Sequence, residues 1–120
     1  MSTPIADTCC FLSEWIKSVT AYLIVRATVD ARDKAAFNEW YETDHLPAAH
    51  HAFGSLKAWR GWCDNDPNLH FAFYEFATLS DAQALLKSAA LKGQVADFDR
   101  TWEGRVTRTR ETVQIDQILS

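Results

Sequence analysis

Phe37, Tyr41 and His45 recur at i, i+4 and i+8 within the stretch Phe37–Gly54, so they share one side of a helix and carry an ionisable ring to the rim of a core. A histidine held against an apolar wall suits proton transfer at a small cyclic or aromatic compound, because its pKa starts near neutrality. The neighbours pull that pKa in opposite directions. The helix C-terminus with Glu42 and Asp44 favours imidazolium, whereas burial beside Trp40 and Tyr41 favours the neutral ring. Neutral, His45 is a general base; charged, it anchors a carboxylate or phenolate. Its structural alternative is to cap the last carbonyls of its own helix.

Around this candidate catalytic residue, Tyr41 lies one turn earlier on the same face, where its hydroxyl can orient the imidazole or donate to a substrate oxygen. Trp40 beside it and Trp59 further on are the expected aromatic contacts of a ligand. Asp44 would fix the His45 tautomer only if the two side chains met, and consecutive helix positions point about 100° apart. Arg26 interrupts an otherwise apolar run, where a charge needs a partner. Glu75 is the expected one, and an anion-binding role is the alternative. Arg60 raises the same question.

Other chemistries lack their patterns. His50 and His51 with Glu42 match neither H-x-x-x-H nor HExxH, and the C-x-x-C and C-x-x-H spacings are absent, so no metal is expected. No nucleophile elbow surrounds Cys63 or a serine. The four glycines stand singly, which argues against a phosphate-cradling loop. Cys9, Cys10 and Cys63 are an odd set with adjacent members and imply no disulfide framework.

The elements that must position His45 follow from periodicity. Residues 1–18 read as an extension in which Phe11, Leu12, Trp15 and Ile16 mark a short amphipathic helix, and residues 19–120 as the domain. Val19–Val29 is rich in β-branched residues and nearly all apolar, the signature of a strand covered on both faces. Asp30 is a plausible N-cap for a helix from Ala31, which Leu46, preceding Pro47, should end, with Gly54 closing the segment. Ser55–Cys63 and Leu69–Ala77 flank the turn-forming run Asp64–Asn68 and make a hairpin. Ser80 with Gln83 forms a capping box, Gly93 breaks that helix, and Val95, Phe98 and Trp102 support another, ended by Gly104. Arg105–Ile115 is the last strand. Its Arg105, Arg108 and Arg110 cluster reads as a solvated or paired face.

The order is βαββαβ, an α+β ferredoxin-like arrangement with a four-stranded antiparallel sheet. Helices cover one face of such a sheet. Because strands one and three are apolar on both sides, a second copy across a two-fold axis is the simplest cover for the other, with Trp59, Trp62, Phe71, Phe73, Tyr74 and Phe76 supplying the contact. The fifteen aromatics, five of them Trp, fit a subunit contact or an apolar cavity. With net charge −4, ten acids against six bases in residues 1–80 and six of each in 81–120, nucleic acid is not an expected partner. The first thirty residues lack a signal-peptide pattern and no apolar run nears the roughly 20 residues that span a bilayer, so a cytoplasmic protein without a membrane partner is expected.

Phe37-x-x-Trp40-Tyr41-x-x-x-His45-Leu46-Pro47, followed by Gly54 and an aromatic second strand, resembles the EthD-like branch of the dimeric α/β-barrel superfamily over roughly residues 20–115. That superfamily holds cofactor-free monooxygenases of polycyclic aromatics, polyketide cyclases, muconolactone-type isomerases, haem-degrading enzymes and stress-related barrels without established catalysis. The resemblance implies a homodimer and a small cavity between helix and sheet in each protomer, with His45 at its wall. The expected ligand is a small hydrophobic or aromatic compound. No cofactor is expected, since no residue singles out a haem axial ligand. Fold likeness alone does not choose among these reactions.

Overall fold

A computed structural model describes residues 20–119. The expected extension over residues 1–18, with Cys9 and Cys10, lies outside them.

Four strands, β1 (Ala21–Val29), β2 (Lys57–Trp62), β3 (Leu69–Phe76) and β4 (Val106–Gln114), form one antiparallel sheet in the order β2-β3-β1-β4. The two apolar strands are therefore central. Register pairs Leu23 with Tyr74 on β3 and Thr112 on β4, and Ala27 with His70 and Arg108. Alternation then sends Ala21, Leu23, Ala27 and Val29 with His70, Ala72, Tyr74 and Phe76 to the buried, helix-covered face.

Between β1 and β2 the chain forms a 3-10 turn (Ala31–Asp33), α1 (Lys34–Trp40), a π turn (Tyr41–His45) and α2 (Leu46–Phe53). Asp33 is nearly buried and accepts from Arg105 at 2.6 Å, which ties the start of α1 to the start of β4. The expected stop at Leu46 is not there: Leu46 keeps helical angles (φ −64°, ψ −47°) and its N–H bonds to the Tyr41 carbonyl, five residues back. In a regular helix the Pro47 ring would crowd the carbonyl four residues earlier. The widened turn relieves that crowding, so the helix passes through the proline. It ends where Gly54 takes the left-handed conformation (φ 65°), which side chains other than glycine rarely adopt.

After β3 the helical segment divides differently from the sequence expectation. Thr78, rather than Ser80, caps α3 (Leu79–Leu85), its hydroxyl accepting from the Asp81 N–H at 3.0 Å. The break falls at residues 86–88, not at Gly93. Ser88 manages it from both sides, donating to the Leu85 carbonyl at 2.7 Å and accepting from the Leu91 N–H at 3.1 Å as the cap of α4 (Ala89–Trp102). Gly93 sits inside α4, exposed.

The core centres on Phe37, fully buried, whose ring meets Trp40, Tyr41, Trp62, His70, Phe98 and Trp102 at centroid distances of 5.2–6.3 Å. The aromatics expected on the uncovered face divide by parity. Trp59, Phe71 and Phe73 do lie there with Tyr22, whereas Trp62, Tyr74 and Phe76 turn toward the helices.

Candidate functional site

The π turn faces the middle of the covered sheet, and its residues meet α4 and β4 there. His45 is 7% exposed. Its ring stacks on Trp40 (4.6 Å between centroids, 15° between planes) and meets Tyr41 and Phe98 edge-on at 4.9 and 5.7 Å. The wider turn turns both Tyr41 and His45 inward, a placement often found at functional sites.

A half-open cavity of about 30 Å3 lies against this cluster, lined by Tyr41, His45 and Tyr74 with Gln94, Phe98 and Arg108. Phe53, Leu91, Val95 and Arg110 also line it. Its volume admits about two waters. Two buried polar atoms in its wall, His45 Nδ1 and Gln94 Oε1, have no hydrogen-bond partner in the protein. Such atoms ask for a partner from outside.

Burial drives the His45 pKa from 6.5 down to about 4. Asp97 resists that shift and Arg108 adds to it. The imidazole is therefore neutral at physiological pH, which decides between the two pulls read from the sequence. Its nearest carboxylate is Asp97, at 3.8 Å from Nδ1, longer than a hydrogen bond; Asp44 is exposed and is not the partner. Because the helix runs on past His45, the expected C-terminal dipole and the cap of terminal carbonyls are both absent at this position.

Tyr41 and Tyr74 line the cavity side by side and influence each other's ionisation. Burial pushes Tyr41 up to about 12, and raises Tyr74 well above its ordinary value, so both are neutral donors. Arg108 lies on the covered face opposite the small Ala27, with its guanidinium 3.9 Å from the centre of the Phe98 ring and 3.3 Å from Asp99. Of the two readings of the β4 arginines, solvated or paired, Arg108 takes the paired one, its side chain 13% exposed and bound to Asp99.

Behind Tyr41 sits a second polar cluster. Arg60 donates to the Asn38 carbonyl and side chain at 3.2 and 3.0 Å and lies 3.1 Å from His70 Nε2, while Trp62 donates to Asn38 at 3.1 Å. Burial first, then Arg60 and His45, press His70 down to about 3. A neutral His70 accepts from Arg60, which leaves its buried Nδ1 without a partner.

Of the expected site residues, the structure brings together His45, Tyr41 and Trp40. Arg26 and Trp59 are elsewhere, on the uncovered face of the sheet. Arg26 pairs with Glu111 at 2.8 Å rather than with Glu75, so that expectation is corrected. Sequence reasoning missed Tyr74, Gln94 and Arg108 as pocket groups, and Asp97 as the carboxylate nearest His45. Alternation along β4 grouped Arg108 with Arg110, but which face that row occupies depends on pairing with β1, which is not local. Among the described residues no three His, Cys, Asp or Glu side chains converge on a metal position.

No family model matches the sequence, and no curated protein matches it. Solved structures do. An EthD family protein from Bacillus halodurans superposes with a TM-score of 0.59 at 14% identity, over 76% of this chain and 96% of that one. A NIPSNAP family protein of unknown function from Agrobacterium tumefaciens gives 0.61 at 12% identity, over 85% and 93%. A cofactor-independent oxygenase from Streptomyces nogalater gives 0.56 at 12% identity, over 83% and 96%. The chain has the fold of the dimeric α/β barrels. Among the described residues no helix is long and apolar enough to cross a membrane.

Proposed function

We propose that this chain is a homodimeric, small-molecule-binding barrel of the cytoplasm. We further infer that it is a cofactor-independent enzyme of monooxygenase, cyclase or isomerase type. Its substrate is a small hydrophobic cyclic compound, and His45 is the acid–base group. The observation that carries the reading is a neutral imidazole, with one unpartnered nitrogen, in the wall of an apolar cavity. The oxygenase among the structural neighbours is consistent with it.

An imidazole of pKa about 4 is a weak base, so it removes protons only from carbon or oxygen acids that the substrate already activates. The Tyr41–Tyr74 pair supplies neutral donors for the oxygen on which charge then develops. Dimerisation is supported by the uncovered face, where Tyr22, Trp59, Phe71 and Phe73 form one aromatic surface and Trp59 is 37% exposed.

The test is a thermal-shift screen of aromatic and lactone-like compounds, followed by turnover of each binder by native protein and by His45→Ala. Loss of turnover with binding retained upholds the acid–base role. Unchanged turnover removes His45 from the chemistry. A non-catalytic carrier is the second reading, favoured by one observation: the cavity is about 30 Å3, its surroundings filled by the protein's own rings. Binding without turnover across the screen would select it.

A further inference from the structure

We propose that the cavity beside His45 is a subsite for an ionised oxygen head group, a carboxylate or a phenolate on an apolar body, and that Arg108 is the side chain that holds it. This rests on the ligand-binding reading above and names the ligand class.

Charge in the wall is the first support. The chain is acidic overall, at −4, yet the cavity lining contains two arginines, Arg108 and Arg110, and no carboxylate. The nearby carboxylates are not part of the lining: Asp99 meets Arg108 from outside it, and Asp97 gives one oxygen to Arg100 at 2.8 Å while the other lies 3.8 Å from His45 Nδ1. With His45 and both tyrosines neutral, the guanidiniums are the charged groups facing the space.

Donor capacity is the second. A guanidinium has five N–H groups. Among the described residues Arg108 places one of them in a hydrogen bond, to Asp99. Its guanidinium shares the cavity wall with Tyr41 and His45, and its charge bears on the ionisation of both. A guanidinium in a cavity wall with donors unspent by the protein has what a two-point grip on a planar oxyanion requires.

Size is the third. A volume of about 30 Å3 takes two oxygen-sized atoms and not a ring, so a ligand fits head first. Its body then rests at the half-open mouth against Phe53, Leu91 and Val95. The division of labour follows: Arg108 supplies the positive charge that a neutral His45 lacks, and His45 is left free to exchange a proton.

The experiment titrates benzoate and its neutral counterpart benzamide into the full chain, following the His45 ring and Trp40 indole signals by NMR. Benzoate should bind saturably and at least tenfold more tightly than benzamide. Arg108→Gln should lose that preference while benzamide binding stays unchanged, and Arg108→Lys, which keeps the charge without the fork, should fall between. Circular dichroism of both variants checks the fold. A 4-nitrophenolate arm separates the sources: whichever of it and benzoate binds more tightly names the head group. Equal affinity for benzoate and benzamide, or an undiminished preference in Arg108→Gln, overturns the proposal. If none of the three probes binds, the ligand-binding reading falls with it; selective binding without any turnover upholds the subsite and removes only the enzymatic reading.

Discussion

The two faces of the sheet are both aromatic, but most of their rings are arranged differently. On the covered face the rings around Phe37 meet at steep angles, from 42° to 79°, and enclose polar atoms: the Tyr41–Tyr74 hydroxyls, His45, His70 and the Arg60–Asn38 bonds. On the uncovered face Trp59, Phe73 and Phe71 stack nearly parallel, at 14° and 12°, with Tyr22 edge-on to Trp59 and an exposed ion pair beside them. Tilted rings lock a core and leave small polar gaps. Parallel rings make a smooth surface that another sheet can lie against. Aromatic content alone therefore marks neither a site nor an interface; ring geometry and the polar atoms between the rings do.

The contrast is broken most forcefully at its centre. Phe37→Ala should cost about 3–5 kcal/mol in chemical denaturation, since six rings lose their common neighbour. Phe73→Ala should cost the isolated protomer only about 1–2 kcal/mol but weaken self-association in sedimentation equilibrium. A similar cost for both would mean that the faces do not differ as described.

Acid should erode the covered face selectively. His45 and His70 have folded pKa values of about 4 and 3, below the ordinary 6.5, so the unfolded chain binds protons that the folded one refuses. Their contribution is fully present above pH 6.5 and is lost as pH falls through about 4 and then 3. Linkage makes it several kcal/mol in all, on the order of 3 for His45. Denaturation midpoints across this window should fall steeply in the native protein and less steeply in His45→Phe.

Smaller effects sharpen the picture. Asn38→Ala leaves Arg60 and the Trp62 indole short of an acceptor, for an expected loss of about 1–3 kcal/mol by denaturant unfolding. Glu111→Gln should change stability by less than about 1 kcal/mol, because both partners of its ion pair are nearly half exposed.

Much of this architecture was legible in the residues. The largely apolar β1, the turn formers at Asp64–Asn68 and the closing Gly54 marked local events with local causes, and the element order followed from them. What escaped was non-local. Whether Tyr74 or Phe73 faces the helices depends on how β3 registers against β1, and a slip of one residue would exchange them. That the Arg108 row lies on the covered face escaped for the same reason. Pro47 misled for another: its usual effect on the preceding residue was overridden by a hydrogen bond reaching one residue further than normal. His45 itself was found because its helical spacing from Phe37 and Tyr41 survives that disturbance well enough to keep all three inside.

The bond from Leu46 back to Tyr41 encloses one residue more than an ordinary turn would, and that residue works as a spacer. Excising Glu42 would restore the usual pitch and cut the separation of the tyrosine and the imidazole from four residues to three, which changes both their rise and their relative direction. The sheet would have no reason to notice. Point substitutions can retune this pocket, but a change in chain length at the spacer would dismantle it while leaving the scaffold standing.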